Sequence, residues 1–122
     1  MAIRHELDEG RRRLHLTGDG GSGGRDVVAF TIEQLAARPE LIDWDWIIDL
    51  SQATGEVRNE DVDEAARLFA GQDEPAWTVF VSADPNLPLW ARVMDHQFSK
   101  RLHLTAPDAD AAGRLLDRKR AG

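Results

Sequence analysis

The chain has 122 residues, no cysteine and a formal net charge of −7. The length suits one domain, spanning 1–122, and a hydrophobic content of 42% suits one core of ordinary size. The acidic balance disfavours nucleic acid as a partner. The missing cysteines remove disulfides, thiolate catalysis and cysteine-based metal sites, and fit a reducing cytoplasm. No apolar run approaches the roughly 20 residues of a membrane helix, and Met1 to Gly10 lacks the apolar segment of a signal peptide.

In chain order, Ala2 to Leu7 and Arg12 to Thr17 are predicted as two strands of a hairpin, the second alternating with Leu14 and Leu16 on one face. Gly18 to Gly24 is glycine-rich but lacks the lysine of a phosphate-binding loop, so it reads as a flexible surface linker. Asp26 to Ala37 reads as a helix capped by Asp26, with Val28, Ile32 and Leu35 facing the core and Arg38-Pro39 ending it. Val27 to Phe30 as a strand, followed by a short helix capped at Thr31, is the competing reading.

The stretch Trp44-Asp-Trp-Ile-Ile-Asp-Leu-Ser51 reads as a central strand covered on both faces. Asp49 is placed at its exit, because a buried carboxylate must be paired. Ser51, Gln52, Thr54 and Gly55 are expected to follow as a loop. Glu60 to Ala70 is predicted helical, with a capping box at Asp61 and Glu64 and an apolar stripe of Val62, Ala65, Ala66 and Phe69. Trp77 to Val81 is the next strand, and Ser82 to Pro88 is a turn-rich loop. Leu89 to Phe98 is a helix with Trp90, Val93, Met94 and Phe98 on one face. Leu102 to Thr105 is a last strand, and Pro107 opens a final helix to about Lys119 with Ala112, Leu115 and Leu116 inward. The expected fold is α/β, in the order ββαβαβαβα, with a mixed, mostly parallel sheet and helices packed on it.

This order resembles the STAS, or SpoIIAA-like, fold of the anti-sigma-factor antagonists, and more closely the small uncharacterised STAS-like (STAS/SEC14-type) proteins of bacteria. The likeness rests on Asp26-Val-Val with Gln34 to Pro39, on Trp46-Ile-Ile-Asp-Leu-Ser51, and on Ala53-Thr-Gly-Glu-Val57 leading into Asp61-Val. Val79-Phe-Val81 and the Leu87 to Phe98 helix add to it. The resemblance implies a non-enzymatic interaction or regulatory module that binds a protein partner or a second copy of itself. The antagonists carry a phosphorylatable serine at the start of the second helix. Here that turn reads Arg58-Asn-Glu-Asp-Val62, with no hydroxyl, so no phospho-switch serine carries over.

Catalytic patterns are absent from the sequence. His5 and His15 are placed to face each other across the hairpin, but no metal-ligand spacing accompanies them, so no metal or cofactor is expected and the histidines read as surface residues. Ser51, His96 and Asp49 lack a nucleophile elbow. Asp43 and Asp45, at a strand entrance, are expected to be solvent-exposed, as are the arginines near both ends. The alternative to an interaction module is a small-ligand domain, for a nucleotide or lipid, with its site outside the carboxyl ends of the central strands at a switch point. Candidate contacts there are Ser51, Gln52 and Thr54 from one strand and Ser82, Asp84 and Asn86 from the next, residues that also form ordinary turns and caps. An exposed Trp44 would mark a partner interface.

Overall fold

The computed structural model describes residues 2–122. Five strands form one sheet in chain order: β1 (Ala2–Asp8), β2 (Arg13–Gly20), β3 (Asp45–Ala53), β4 (Ala76–Val81) and β5 (Arg101–Ala106). β1 is antiparallel to β2, and the other pairings are parallel. The helices are α1 (Gly24–Ala37), α2 (Asn59–Leu68), α3 (Leu87–Gln97) and α4 (Ala109–Ala121), and a short 3-10 helix, Pro39–Asp43, leads into β3. The predicted order ββαβαβαβα is therefore the order observed, and α1 is a single helix rather than strand and helix.

Neighbouring parallel strands joined in sequence by right-handed crossovers put every connecting helix on one face. The core divides accordingly. Leu14, Leu16, Trp46, Ile48 and Phe80 pack with Val62 of α2 and Phe69 just past its end, with Leu87 and Met94 of α3, and with Val27 and Phe30 of α1. The other face, Ile47, Val79, Val81 and Ala106, is covered by Ala112 and Leu116 of α4. Ile47 and Ile48 are both buried, on opposite faces, which explains why the central strand does not alternate.

The glycine-rich segment is not a flexible linker. Gly18 to Gly20 belong to β2, where the β2–β3 register shifts between Thr17 and Asp19. Ser22 to Gly24 are buried. Their backbone interlocks with the end of β3: Gly55 N–H donates to Ser22 O (2.9 Å), Gly24 N–H to Glu56 O (2.8 Å) and Thr54 N–H to Gly20 O (2.8 Å). The glycines permit this approach because a side chain has no room. A Cβ on Gly55 would lie 2.5 Å from Gly21 O, and one on Gly23 would lie 2.6 Å from Glu56 O. Gly55→Ala is expected to cost about 1–3 kcal/mol in urea titration, the scale of an overpacked site, whereas a true linker glycine would cost almost nothing.

Several boundaries and faces differ from expectation. α1 starts at Gly24, and Asp26 sits in its first turn, accepting from Gly23 N–H at 2.9 Å rather than acting as the N-cap. The carboxylate of Asp61 likewise accepts from Arg58 N–H at 3.0 Å, inside the first turn of α2. α4 is capped by Asp108, whose carboxylate accepts from Ala111 N–H at 2.8 Å, so Pro107 lies outside the helix. Ser51 and Gln52 extend β3 instead of forming a loop. Ile32 and Val93 are exposed. Thr31, which bonds back to Val27 O, and Ala91 take the inward positions. Trp90 is half-buried.

Candidate functional site

Two groups of strand-end residues were candidates, and most of their hydroxyls and carboxylates are bonded within the chain. The Ser51 hydroxyl and N–H both donate to Asp49 Oδ1, at 2.6 and 3.0 Å. Thr54 Oγ1 donates to Gly20 O at 2.9 Å, and Gln52 is exposed beside them. Ser82 Oγ accepts from Asp84 N–H at 3.1 Å, and Asp84 Oδ1 accepts from Asn86 N–H at 2.9 Å. Ser82 and Asp84 line a shallow groove of about 230 Å³ with Leu87 and Thr105, which Ser51, Gln52 and Thr54 do not enter. The crevice expected at a switch point is missing for a topological reason. Strands β2 to β5 run in sequence order without reversal, so adjacent crossover helices never part to opposite faces.

Trp44 lies at the other end of β3 and is 4% exposed, packed in the core with the Arg38 guanidinium 5.2 Å from its ring. His96 is in the last turn of α3, at the edge where β3 begins, and is thereby separated from Asp49 and Ser51 farther along the strand. His5 stands opposite Leu16, and His15 opposite Glu6, so the two histidines point to opposite faces of the hairpin. Among the described residues, no group of three or more His, Asp or Glu side chains is placed to hold a metal ion. The starts of α1 and α2 converge on a groove of about 400 Å³ that contains Arg25, Asp26, Glu56, Arg58, Glu60 and Asp61. Two of its carboxylates already cap the helices, so the positive helix ends are answered from within the chain.

The most developed chemistry lies between the sheet and α1–α3. A cavity of about 80 Å³ lies there, walled by Val28, Trp46, Ile48, Val62, Phe80 and Phe98, with Thr78 and His103 among its polar lining residues. β5 supplies His103 through its alternation. Arg101 and His103 point to the α1–α3 face, while Leu102 points to the α4 face and stays exposed.

The His103 ring is 2% exposed, stacked 6.1 Å from Phe80 and edge-on to Phe98 at 4.6 Å. Asp95 Oδ1, on α3, accepts from His103 N–H at 2.7 Å and pairs with Nδ1 at 3.0 Å. A carboxylate can only accept, so the proton sits on Nδ1 and Nε2 keeps its lone pair. Burial pushes the imidazole down to about 4, against the opposing pull of the Asp95 hydrogen bond.

The sign of the pH effect follows. Between 6.5 and about 4 the unfolded chain takes up a proton that the folded ring refuses. This contribution to stability is therefore complete above 6.5 and declines as the pH falls toward about 4, by about 3 kcal/mol in all. Urea titrations across that range should show the decline, and His103→Phe, which keeps an aromatic ring, should flatten it.

Sequence reading missed this pair and treated His103 as a surface residue. The available signal was the spacing Arg101-x-His103 in a strand whose leucines sit at the alternate positions. Nothing in the sequence brings Asp95 to it, because that contact depends on the return of α3 onto β5.

No family model matches the sequence, and no curated protein matches it. Among solved structures, the chain is similar to an uncharacterized protein of the DUF3478 family with a SpoIIAA-like fold from Shewanella loihica PV-4. The TM-score is 0.66 at 14% identity, over 94% of this chain and 92% of that one. At that identity the likeness establishes the architecture: the chain has a SpoIIAA-like α/β fold. No described helix is long and apolar enough to cross a membrane.

Proposed function

We propose that this chain is a non-enzymatic regulatory module that docks a protein partner, a second copy of itself included, on the outer face of α3. The observation that carries the reading is the pair Leu89 and Val93, 62% and 43% exposed and one helical turn apart. Side chains at that spacing share one face, and an apolar face left in water favours a covering partner. The reading is also supported by the engagement of the strand-end hydroxyls of Ser51, Thr54 and Ser82 in hydrogen bonds within the chain. A cysteine-free composition is in keeping with a cytoplasmic setting, and the acidic charge with partners other than nucleic acid.

Light scattering at rising concentration, repeated with the Leu89→Glu/Val93→Glu double variant, tests this. Association or copurification that the variant abolishes supports the reading. A monomeric mass at high concentration, with no stable partner, overturns it.

A second reading, a small-ligand domain, is favoured by the apolar cavity, whose lining includes Gly24, Val57 and Asp61, near the carboxyl ends of β2 and β3.

A further inference from the structure

The sheet has two open edges, and they are protected differently. On β1, at one edge, Arg4 and Glu6 are exposed, and charged side chains along an edge oppose the addition of another strand. β5, at the other edge, has no exposed charged residue. The side chains of Arg101 and His103 are buried, Leu102 is 53% exposed, and Thr105 is exposed.

The main chain of β5 has a defined open side. Ala76 N–H donates to Lys100 O at 3.1 Å, so Lys100 faces β4. In a parallel ladder a residue turns its N–H and C=O to one side, and the next residue turns them to the other. Arg101, His103 and Thr105 therefore direct their main-chain groups outward, where the sheet has no further strand to receive them. Asp95 Oδ1, on α3, accepts from the N–H of His103 at 2.7 Å. Its carboxylate stands where the carbonyl of an added strand would have to stand.

A second copy of β5 suits this edge. Two copies related by a two-fold axis pair antiparallel along it. With His103 on the axis, Arg101 pairs with the partner's Thr105, and the exposed Leu102 lies across from the partner's Leu104, an apolar match. Every two-fold register that pairs two or more of the outward residues includes His103. A cap on that one N–H therefore obstructs them all.

We propose that the edge of β5 is a pairing surface for a second copy of this chain, and that Asp95 holds it closed. Residues two apart on a helix point to opposite sides, so Asp95 faces away from Val93. The proposal does not rest on docking at the outer face of α3.

The experiment is light scattering over a concentration series, with every protein carrying Leu89→Glu/Val93→Glu to silence that face. The reference adds His103→Phe, which keeps an aromatic ring and the capped N–H and removes the ring nitrogen that Asp95 also holds. Adding Asp95→Ala to the reference uncaps the edge without leaving an unpaired imidazole. A monomeric reference and a doubled mass on uncapping are expected. Thr105→Pro removes an outward N–H and none that faces β4, so it should return the uncapped protein to the monomer. Equal masses with and without Asp95→Ala overturn the proposal. So does a reference that already associates, or a dimer that Thr105→Pro leaves intact. Should the uncapped protein not fold, amide exchange of the wild type decides. Fast exchange at Arg101 and Thr105 on either side of a protected His103 is expected. Equal protection of all three would mean that the edge is already covered, and would overturn the proposal.

Discussion

Replacing Arg101 with Met will cost about 3–5 kcal/mol of stability, enough to unfold a domain of marginal stability at ordinary temperature. Arg101 is 1% exposed, and its guanidinium is the hub of the sheet's amino-terminal edge. Nε donates to Gln72 Oε1 at 3.2 Å, Nη1 to Trp77 O and Thr78 Oγ1 at 3.0 and 2.9 Å, and Nη2 to Ile42 O and Trp44 O at 3.0 and 2.6 Å. The group also lies 4.6 Å over the Phe69 ring. Burial pushes the guanidinium down to about 9, with Asp45 and Asp43 opposing, so it stays charged at neutral pH. Met fills much of the volume but strands five acceptors in the core, and unsatisfied buried acceptors are what make such a loss large. Arg101→Lys keeps the charge and loses the planar fork, so it should recover only part of the stability. Guanidinium chloride titration of the three proteins checks the order wild type, Lys, Met. A loss below 1 kcal/mol for Met would show that these bonds are not holding the edge together.

The elements that the sequence disclosed are those whose apolar pattern is local. β3, β4, the hairpin and the stripe of α2 follow from periodicity alone, because Ile47, Ile48, Val79 and Val62 are buried by any packing that forms a sheet with helices. What stayed hidden are the places where polar side chains are buried by long-range partners. Asp45 and Asp49 read alike in the sequence, each an acid in an apolar strand. Asp49, expected at the exit, is half-buried in the middle of β3, where it holds Ser51, whereas Asp45 is fully buried. The difference is set by Arg120, 75 residues away. The arginine-rich ends were misread for the same reason. They are not merely solvated: Arg13 donates to Asp117 at 3.0 Å, joining the hairpin to α4, and Arg120 reaches Asp45. The same physics hid the cavity's polar lining, since Asp95 and His103 meet only through α3 packing on β5.

Arg120→Met will destabilise the fold by about 2–4 kcal/mol, because it removes the hydrogen-bonded counter-charge of the Asp45 carboxylate in a site that is 0% exposed and leaves it the attraction of Arg101 alone. In the wild type, Arg120 donates from Nε to Asp45 Oδ2 at 2.9 Å and from Nη2 to Asp45 Oδ1 at 2.7 Å, a two-pronged pair of the strong kind. Asp45 Oδ1 also accepts from Trp77 N–H at 3.1 Å, and the arginine lies 4.8 Å over the Trp77 ring. The last turn of α4 is thus fastened to the entrance of β3 and to β4, and this contact secures the one helix on that face. The pair's own net worth is smaller than the cost of halving it, since desolvating two charges offsets much of their attraction. Asp45→Asn combined with Arg120→Met should therefore lose clearly less than the sum of the single changes, with a coupling of about 1–3 kcal/mol. Removing both charges leaves a neutral amide that still accepts from Trp77 N–H. A double-mutant cycle by urea titration measures the coupling directly. Strictly additive losses would mean that Asp45 and Arg120 act independently and that α4 is held by Ala112 and Leu116 alone.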